Sequence, residues 1–353
     1  MDNKYNERVI PQSTTLLEAF KKMDALDKKL LLVLDIDGLF KGLISAGDIQ
    51  RAIIANKPLH TEVKDILRAD IKIAKPSDTP ETIKKMMFDF RMEFCPVVNR
   101  KNEIVDIYFW EDVFSQKESA PNKPFNLPVI IMAGGMGTRL KPLTNVLPKP
   151  LIPIGDKTML EEIFERFGRY GCNSFNISVN YKADLIEYYI NSLKLPYTIN
   201  YLREEKPLGT AGSLHLLKGK INSTFFVTNC DILIEQDYSE ILDYHNENKN
   251  DITIIAALKN YPIPYGTIET GENGKLLSLT EKPELTFKIN SGMYILEPHL
   301  IAEIPNNRHF HITDLIEDVK RRKGNIGVFP VSQYSWKDIG EWNEYIDNIV
   351  HNK

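Results

Sequence analysis

Cysteine is scarce: three residues, Cys95, Cys172 and Cys230, in 353. They are odd in number, far apart and never in a C-x-x-C pair. That excludes a disulfide framework and a cysteine-based zinc site, and it predicts buried thiols in a reducing compartment. An excess of positive charge is also missing. The 44 Lys and Arg against 48 Asp and Glu leave a net charge of −4. No basic stretch is interleaved with aromatics, so nucleic acid is excluded as a partner. No apolar run approaches the ~18 residues of a membrane span. The opening MDNKYNERVI is polar and lacks the apolar core of a secretion signal. These absences predict a cytoplasmic protein that engages neither membrane nor nucleic acid.

The length allows about two domains of ~100–200 residues each. SQKESAPNKPFN, Ser115 to Asn126, is polar with two prolines and reads as a connecting stretch. A first unit over 1–117, a linker over 118–126 and a second unit over 127–353 are expected. The first unit carries an internal repeat. Helical spacing in TTLLEAFKKMDALDKK is followed by LLLVLDIDGLFKGLIS, two strands about the Asp37-Gly38 turn, and by the helix start AGDIQRAI. The order returns in TPETIKKMMFDFRM, in CPVVNRKNEIVDIYF with a turn near Asn102, and in WEDVFSQ. One copy cannot bury both faces of so short a sheet, so the two are expected to pack as one α+β module. In the second unit strands alternate with helices: VIIMA, TMLEEIFERFGRY, FNISVN, ADLIEYYINSL, FFVTNCD, YSEILDYHNEN, ITIIAAL. That alternation predicts an α/β fold with a mixed, mainly parallel sheet covered by helices. Ligands of such sheets lie outside the carboxyl ends of the strands.

The stretch VIIMAGGMGTRLKPLTNVLPKPLIPI, Val129 to Ile154, places glycines at the mouth of a buried strand. Gly134, Gly135 and Gly137 let backbone N–H groups approach an anion without a Cβ in the way. No GK[ST] ends the loop, so it is not a Walker A motif, and Leu140 stands where a dinucleotide fingerprint needs its third glycine. Two readings remain: a tight structural turn, or a phosphate loop whose Arg139 offers a planar fork to phosphate oxygens. Lys149, held between Pro148 and Pro150, is delivered in a fixed direction and favours a polyphosphate clamp. Further on, FFVTNCD ends an apolar strand in Asp231. A carboxylate is costly to bury unpaired there, and binding Mg²⁺ together with substrate phosphates is a function that offsets the cost. Asp338 in WKDIG is either a second carboxylate at the same site or a helix cap. Glu281 and Lys282 in LTEKPE are either a solvated charge pair or sugar and phosphate contacts. Asn290 and Gly266 flank strands where close approach is possible.

These segments stand in one order: GGMGTRLKPLTNVLPKPL, PLGTAG (Pro207 to Gly212), a strand ending in Asp231, EKP, NSGMY and WKDIG. From about Val129 to Asn348 the chain resembles the sugar-phosphate nucleotidyltransferase family. The resemblance implies a Rossmann-like (GT-A-like) domain that moves a nucleoside monophosphate from an NTP to a sugar-1-phosphate and releases pyrophosphate, with Mg²⁺ as cofactor. It implies that Arg139 and the backbone amides of Gly134, Gly135 and Gly137 hold the triphosphate, and that Ala133 and Thr138 also meet the nucleotide. Lys149 would lie against the reacting phosphates, and Asp231 and Asp338 would hold the ion. Glu204, Pro207, Gly209, Thr210 and Ala211 would meet the nucleotide, and Gly266, Glu281, Lys282 and Asn290 the sugar phosphate.

The first unit resembles a tandem CBS-domain pair (Bateman module), on its pattern and on GLISAGD, Gly42 to Asp48. The resemblance implies an adenine nucleotide held by Ser45 and Asp48, and by Asp112 in the second copy, where Phe109 replaces the hydroxyl. The alternative is that Ser45 caps the helix after it. The family also implies assembly into a homo-oligomer. For the base, a carboxylate accepts both adjacent N–H groups of guanine, so Glu204 or Glu205 favours GTP over UTP, dTTP and CTP. The CBS pair ahead of a transferase resembles the glucosamine-1-phosphate guanylyltransferases of bacterial legionaminic acid biosynthesis. Mannose- and heptose-1-phosphate are the alternative acceptors. A catalytically inactive, nucleotide-sensing subunit is the reading from another class.

Overall fold

The computed structural model describes residues 6–90, 92–113, 123–340, 342, 345 and 346, with the side chains of 111 and 112 outside the description. The chain divides into two compact units, Met1–Pro121 and Asn122–Lys353. Among the described residues no helix is long and apolar enough to cross a membrane.

In the first unit β1 (Val9–Pro11) leads to helix Leu16–Leu26, then β2 (Leu30–Leu34), β3 (Phe40–Ser45) and helix Ala46–Ile54. β1 pairs parallel with β2, and β2 antiparallel with β3. The second half repeats the pattern. Ala74 bridges Val97 in parallel, and helix Pro80–Asp89 precedes β4 (Phe94–Val98), the antiparallel β5 (Ile104–Phe109) and helix Trp110–Val113. The repeat is thus one of topology as well as sequence. The two halves share a core: Leu32, Phe40 and Leu43 pack in one cluster with Ile83, Met87, Phe94 and Phe109. The buried Arg8 guanidinium crosses from one half to Glu93 of the other at 3.0 Å.

The second unit opens with β6 (Val129–Met132), β7 (Pro153–Ile154), β8 (Lys157–Thr158), β9 (Ser174–Val179), β10 (Thr198–Arg203), β11 (Phe225–Asn229) and β12 (Ile232–Ile234). It continues with β13 (Ile252–Pro262), β14 (Thr267–Thr270), β15 (Leu276–Thr280), β16 (Glu284–Leu296), β17 (Ile326–Ser332) and β18 (Trp336–Asp338). Seven strands form one sheet in the order β10-β9-β6-β11-β16-β13-β17. Only β16 runs against the rest, so the sheet is mixed and mainly parallel, as expected. β6 is central, and Val129, Ile130 and Ile131 are all fully buried. A strand covered on both faces reads as a continuous apolar run, which is why VIIM shows no alternation.

Period-2 alternation separates the two faces of the next strand. Phe225 and Val227 of β11 join the core under helix Ile312–Arg321 with Leu315 and Val319. Phe226 points to the other face, 5.2 Å from the ring of Phe167. Phe167 lies on helix Met159–Gly168, which starts in a Thr158–Glu161 capping box and buries Leu160, Ile163, Phe164 and Phe167 at helical spacing. Phe226 is fully buried, and truncating it to alanine would cost about 3–5 kcal/mol. All three cysteines are buried free thiols. Burial pushes the Cys95 thiol up to about 11 and those of Cys172 and Cys230 to about 12, which leaves them unreactive.

Candidate active site

β6 ends at Met132, and the chain turns through Gly134–Gly137 into a 3-10 turn, Thr138–Leu140. Gly137 sits in the left-handed region at φ 63°. A Cβ there would stand 2.8 Å from Thr144 Cγ2 and 3.1 Å from Lys149 Cβ, so glycine is required on both counts. Thr144 Oγ1 donates to the Gly137 carbonyl at 2.9 Å. Lys182 Nζ donates to the carbonyls of Asn145 and Val146, and Trp342 Nε1 to that of Lys141. The loop is therefore tied down on several sides, while Gly135, Thr138 and Arg139 stay exposed. A Cβ on Gly135 would meet nothing within 4 Å, which leaves open space over the loop. The N–H of Ala133 donates to the Ser178 carbonyl at 2.9 Å. That N–H is thus held within the sheet, ahead of the glycines.

The members of the acidic pair are far apart in the sequence. β11 runs into Asp231, and Asp338 closes β18. The short ladder β12–β18 pairs Ile232 with Asp338 antiparallel, and the Ile339 N–H donates to the Asp231 carbonyl at 3.0 Å. Lys149 Nζ forms a hydrogen-bonded ion pair with Asp231 Oδ2. Arg139 lies 4.0 Å from Asp231 and 3.9 Å from Asp338. The four charged groups singled out in the sequence thus converge. Lys149 offsets a carboxylate that is 6 % exposed and would otherwise be buried unpaired. Burial, and then the charge of Asp231, push the Asp338 carboxyl above the ordinary carboxylate range, against the Gly340 N–H and the two cations. Gly340, unnoticed in the sequence, closes the cluster. A Cβ on it would lie 2.5 Å from Lys149 Nζ and 2.8 Å from Asp338 Oδ1.

The donor set fits Mg²⁺. Two carboxylates share one rim, and among the described residues no third His, Cys, Asp or Glu joins a metal-binding group. An ion here would complete its shell with substrate phosphate oxygens and water, which is how Mg²⁺ is ordinarily held.

On the other side of the loop stands Glu204, just past β10. The buried Ser178 hydroxyl donates to its Oε1, and the Leu208 N–H to its Oε2 at 2.8 Å. A Cβ on Gly134 would stand 2.8 Å from Oε1, so this glycine admits the carboxylate beneath the loop. Pro207 is exposed. Gly209, at φ 82°, passes so close to the Phe310 carbonyl that a Cβ would sit 2.7 Å from it. The Ala211 and Gly212 N–H groups both donate to that carbonyl, at 3.1 and 3.0 Å. Thr210 Oγ1 accepts from the Ile312 N–H at 3.0 Å, at the start of helix Ile312–Arg321. PLGTAG is therefore braced from behind, and Thr210 and Ala211 take part in the brace.

β13 and β16 extend beyond the sheet as an arm whose outer end carries the β14–β15 hairpin. Glu281 and Lys282 are exposed at the turn before β16, and Glu281 rests against Gly266, where a Cβ would lie 2.9 Å from its Oε2. Among the described residues, no hydrogen bond or ion pair joins either side chain to Asp231 or Asp338. Asn290 lies nearer. Its Oδ1 accepts from the Gly292 N–H at 3.2 Å, and Gly292 packs so close to Asn229, two residues before Asp231, that a Cβ would sit 2.6 Å from Asn229 Nδ2.

In the first unit Ser45 and Asp48 form a reciprocal capping box at helix Ala46–Ile54. The Asp48 carboxylate, 6 % exposed, also pairs with Arg51 and Arg68. Both residues thus have a complete set of internal partners, as the capping alternative requires. Asp112 falls on helix Trp110–Val113, but its side chain lies outside the described residues.

The nucleotidyl transferase family model matches residues 128–352, and a CBS domain model matches residues 5–55. The catalytic subunit beta of mannose-1-phosphate guanylyltransferase from Dictyostelium discoideum is 35% identical over 185 residues, 50% of this chain and 52% of the relative. The mannose-1-phosphate guanylyltransferase of Mycobacterium tuberculosis is 30% identical over 222 residues, 62% of each. The chain thus spans about half to two thirds of the length of the curated relatives it matches. Among solved structures, HddC from Yersinia pseudotuberculosis is 28% identical, with a TM-score of 0.51 over 64% of this chain and 100% of that one. A second structure of HddC, complexed with GMP-PN, is similar at 27% identity and a TM-score of 0.50, with the same coverage. With the glycine loop, the acidic pair and the sheet that carries them all inside the matched residues, the chain belongs to the nucleotidyl transferase family and carries a CBS domain before that region.

Proposed function

We propose that this protein is a sugar-1-phosphate guanylyltransferase that joins GTP and a hexose-1-phosphate into a GDP-sugar and pyrophosphate. The observation that carries this reading is the convergence of Arg139, Lys149, Asp231 and Asp338 beside an open glycine loop. A phosphate oxygen of the sugar-1-phosphate attacks the α-phosphorus of GTP in line. The new P–O bond forms as the bond to the β-phosphate oxygen breaks, and pyrophosphate leaves with the electron pair. The chain has little covalent work to do, so positioning and charge neutralisation carry the rate. Arg139 and the loop N–H groups beyond Ala133 hold the triphosphate, and Lys149 meets the reacting phosphates. Asp231 and Asp338 would hold Mg²⁺, which supplies further neutralisation of the phosphate charge. Glu204 reads the base. Asn290 and the arm bearing Gly266, Glu281 and Lys282 receive the sugar phosphate.

The curated relatives are named for mannose-1-phosphate, which supports a neutral hexose-1-phosphate acceptor. The CBS region before the transferase supports glucosamine-1-phosphate, the acceptor expected from the sequence. Pyrophosphate release from GTP, UTP, dTTP, CTP and ATP against mannose-, glucosamine- and heptose-1-phosphate tests base and acceptor together. Turnover with GTP and one of these sugars is expected. No turnover with any pair would favour an inactive, nucleotide-sensing subunit.

A further inference from the structure

We propose that Ser178 is a positioning residue for base selection: it fixes the Glu204 carboxylate so that guanine is chosen by its N2 amine. The proposal rests on the guanylyltransferase reading and adds to it a residue outside the glycine loop and outside PLGTAG.

Ser178 lies in β9 between Ile177 and Val179, and all three are fully buried. A hydroxyl in such a strand is costly without a partner. Its partner is the Oε1 of Glu204, from the neighbouring strand's end. The parallel register pairs Val179 with Arg203, which puts Glu204 one step beyond the last pair. The Glu204 N–H donates to the Val179 carbonyl at 2.9 Å, and Asn180 Nδ2 donates to the Glu204 carbonyl at 2.7 Å. The backbone of Glu204 is therefore fixed on both sides. Its side chain is fixed by Ser178 at one oxygen and by the Leu208 N–H at the other.

A carboxylate has about four acceptor positions, so two remain after these bonds. Two parallel acceptors match the adjacent N1–H and N2–H₂ of guanine. Uracil and thymine offer one N–H, and adenine presents an acceptor at N1, which a carboxylate repels. A free glutamate would have to give up rotamer freedom to make this match. One already held by Ser178 and Leu208 does not, and preorganisation of this kind raises both affinity and discrimination.

The test compares GTP with ITP, whose base lacks only the N2 amine, in steady-state turnover of the full chain. Wild type is expected to prefer GTP. In Ser178→Ala the GTP/ITP ratio of kcat/KM is expected to fall about tenfold, with the KM for the sugar-1-phosphate unchanged. Should Ser178→Ala fail to fold, Ser178→Cys supplies a weaker donor of similar size and is expected to lower the ratio by a smaller factor. In a Glu204→Gln background the Ser178 substitution should add nothing to the loss of ratio, because it acts through Glu204. A ratio unchanged in the Ser178 variants, or an equal further loss without Glu204, would overturn the proposal while leaving the guanylyl reading intact. Wild-type turnover with UTP or dTTP in place of GTP would remove both.

Discussion

Asp231 and Asp338 are brought side by side by a three-pair ladder, in which Ile232 faces Asp338 and the Ile339 N–H returns to the Asp231 carbonyl at 3.0 Å. Asp231 stands in the turn between β11 and β12, and Asp338 is the last residue of β18, so the ladder holds the two backbones together.

Removing one member should stop the chemistry. Asp231→Asn keeps the shape of the side chain but loses the charge paired with Lys149. Turnover is expected to fall at least ~10²–10³-fold, the effect of losing one preorganised charged group. Lys149→Met should fall by a similar factor. Pyrophosphate release, with circular dichroism to check folding, measures both.

Gly340 carries a steric prediction. With Lys149 Nζ 2.5 Å and Asp338 Oδ1 2.8 Å from an added Cβ, Gly340→Ala must displace the ion pair or its own backbone. A misplacement of about 1 Å costs on the order of 10² in rate. Expected kinetics are a fall in kcat with a raised Mg²⁺ requirement. Wild-type values in Gly340→Ala would mean that the cluster yields without loss.

The raised pKa of Asp338 fixes the sign of a pH effect. Its native carboxyl binds a proton more tightly than in the unfolded chain, so stability falls as pH rises through the window above the ordinary carboxylate value of ~3.9. Asp338→Asn removes that loss. The variant should melt at a higher temperature than wild type at neutral pH, in the absence of substrate, while losing turnover. Equal melting temperatures would contradict the account of burial at this residue.

Ser45 tests the first unit. Loss of the cap in Ser45→Ala should destabilise that unit by about 0.5–2 kcal/mol in urea denaturation, with turnover unchanged. The expectation of an adenine nucleotide at Ser45 and Asp48 makes a separate prediction. AMP or ATP binding seen by calorimetry in wild type should weaken in Ser45→Ala, and no binding to wild type would leave the cap as the role of this residue.

Much of the site was legible because its residues sit where a strand stops. VIIM and FFVTN announce their own ends, so the glycine loop and Asp231 could be placed from local pattern alone. The parallel core followed from alternation of strand and helix. Long-range pairing was not legible. Nothing in WKDIG states that β18 lies against β12, or that Gly340 is needed because three charged groups meet there. Ser178 looks like any small residue in an apolar strand, and its meaning depends on Glu204 in the next strand. Thr210 has a partner that its motif does not announce. Its motif marks it for the nucleotide, yet its hydroxyl binds the first N–H of a helix far along the chain.

The two aspartates and the triphosphate are expected to form one ion site. Mn²⁺ titration by electron paramagnetic resonance, with GTP present, measures it directly in wild type, Asp231→Asn and Asp338→Asn. A tight Mn²⁺–GTP complex is expected on wild type, weakened at least tenfold in each variant. Equal Mn²⁺–GTP binding in all three would contradict it.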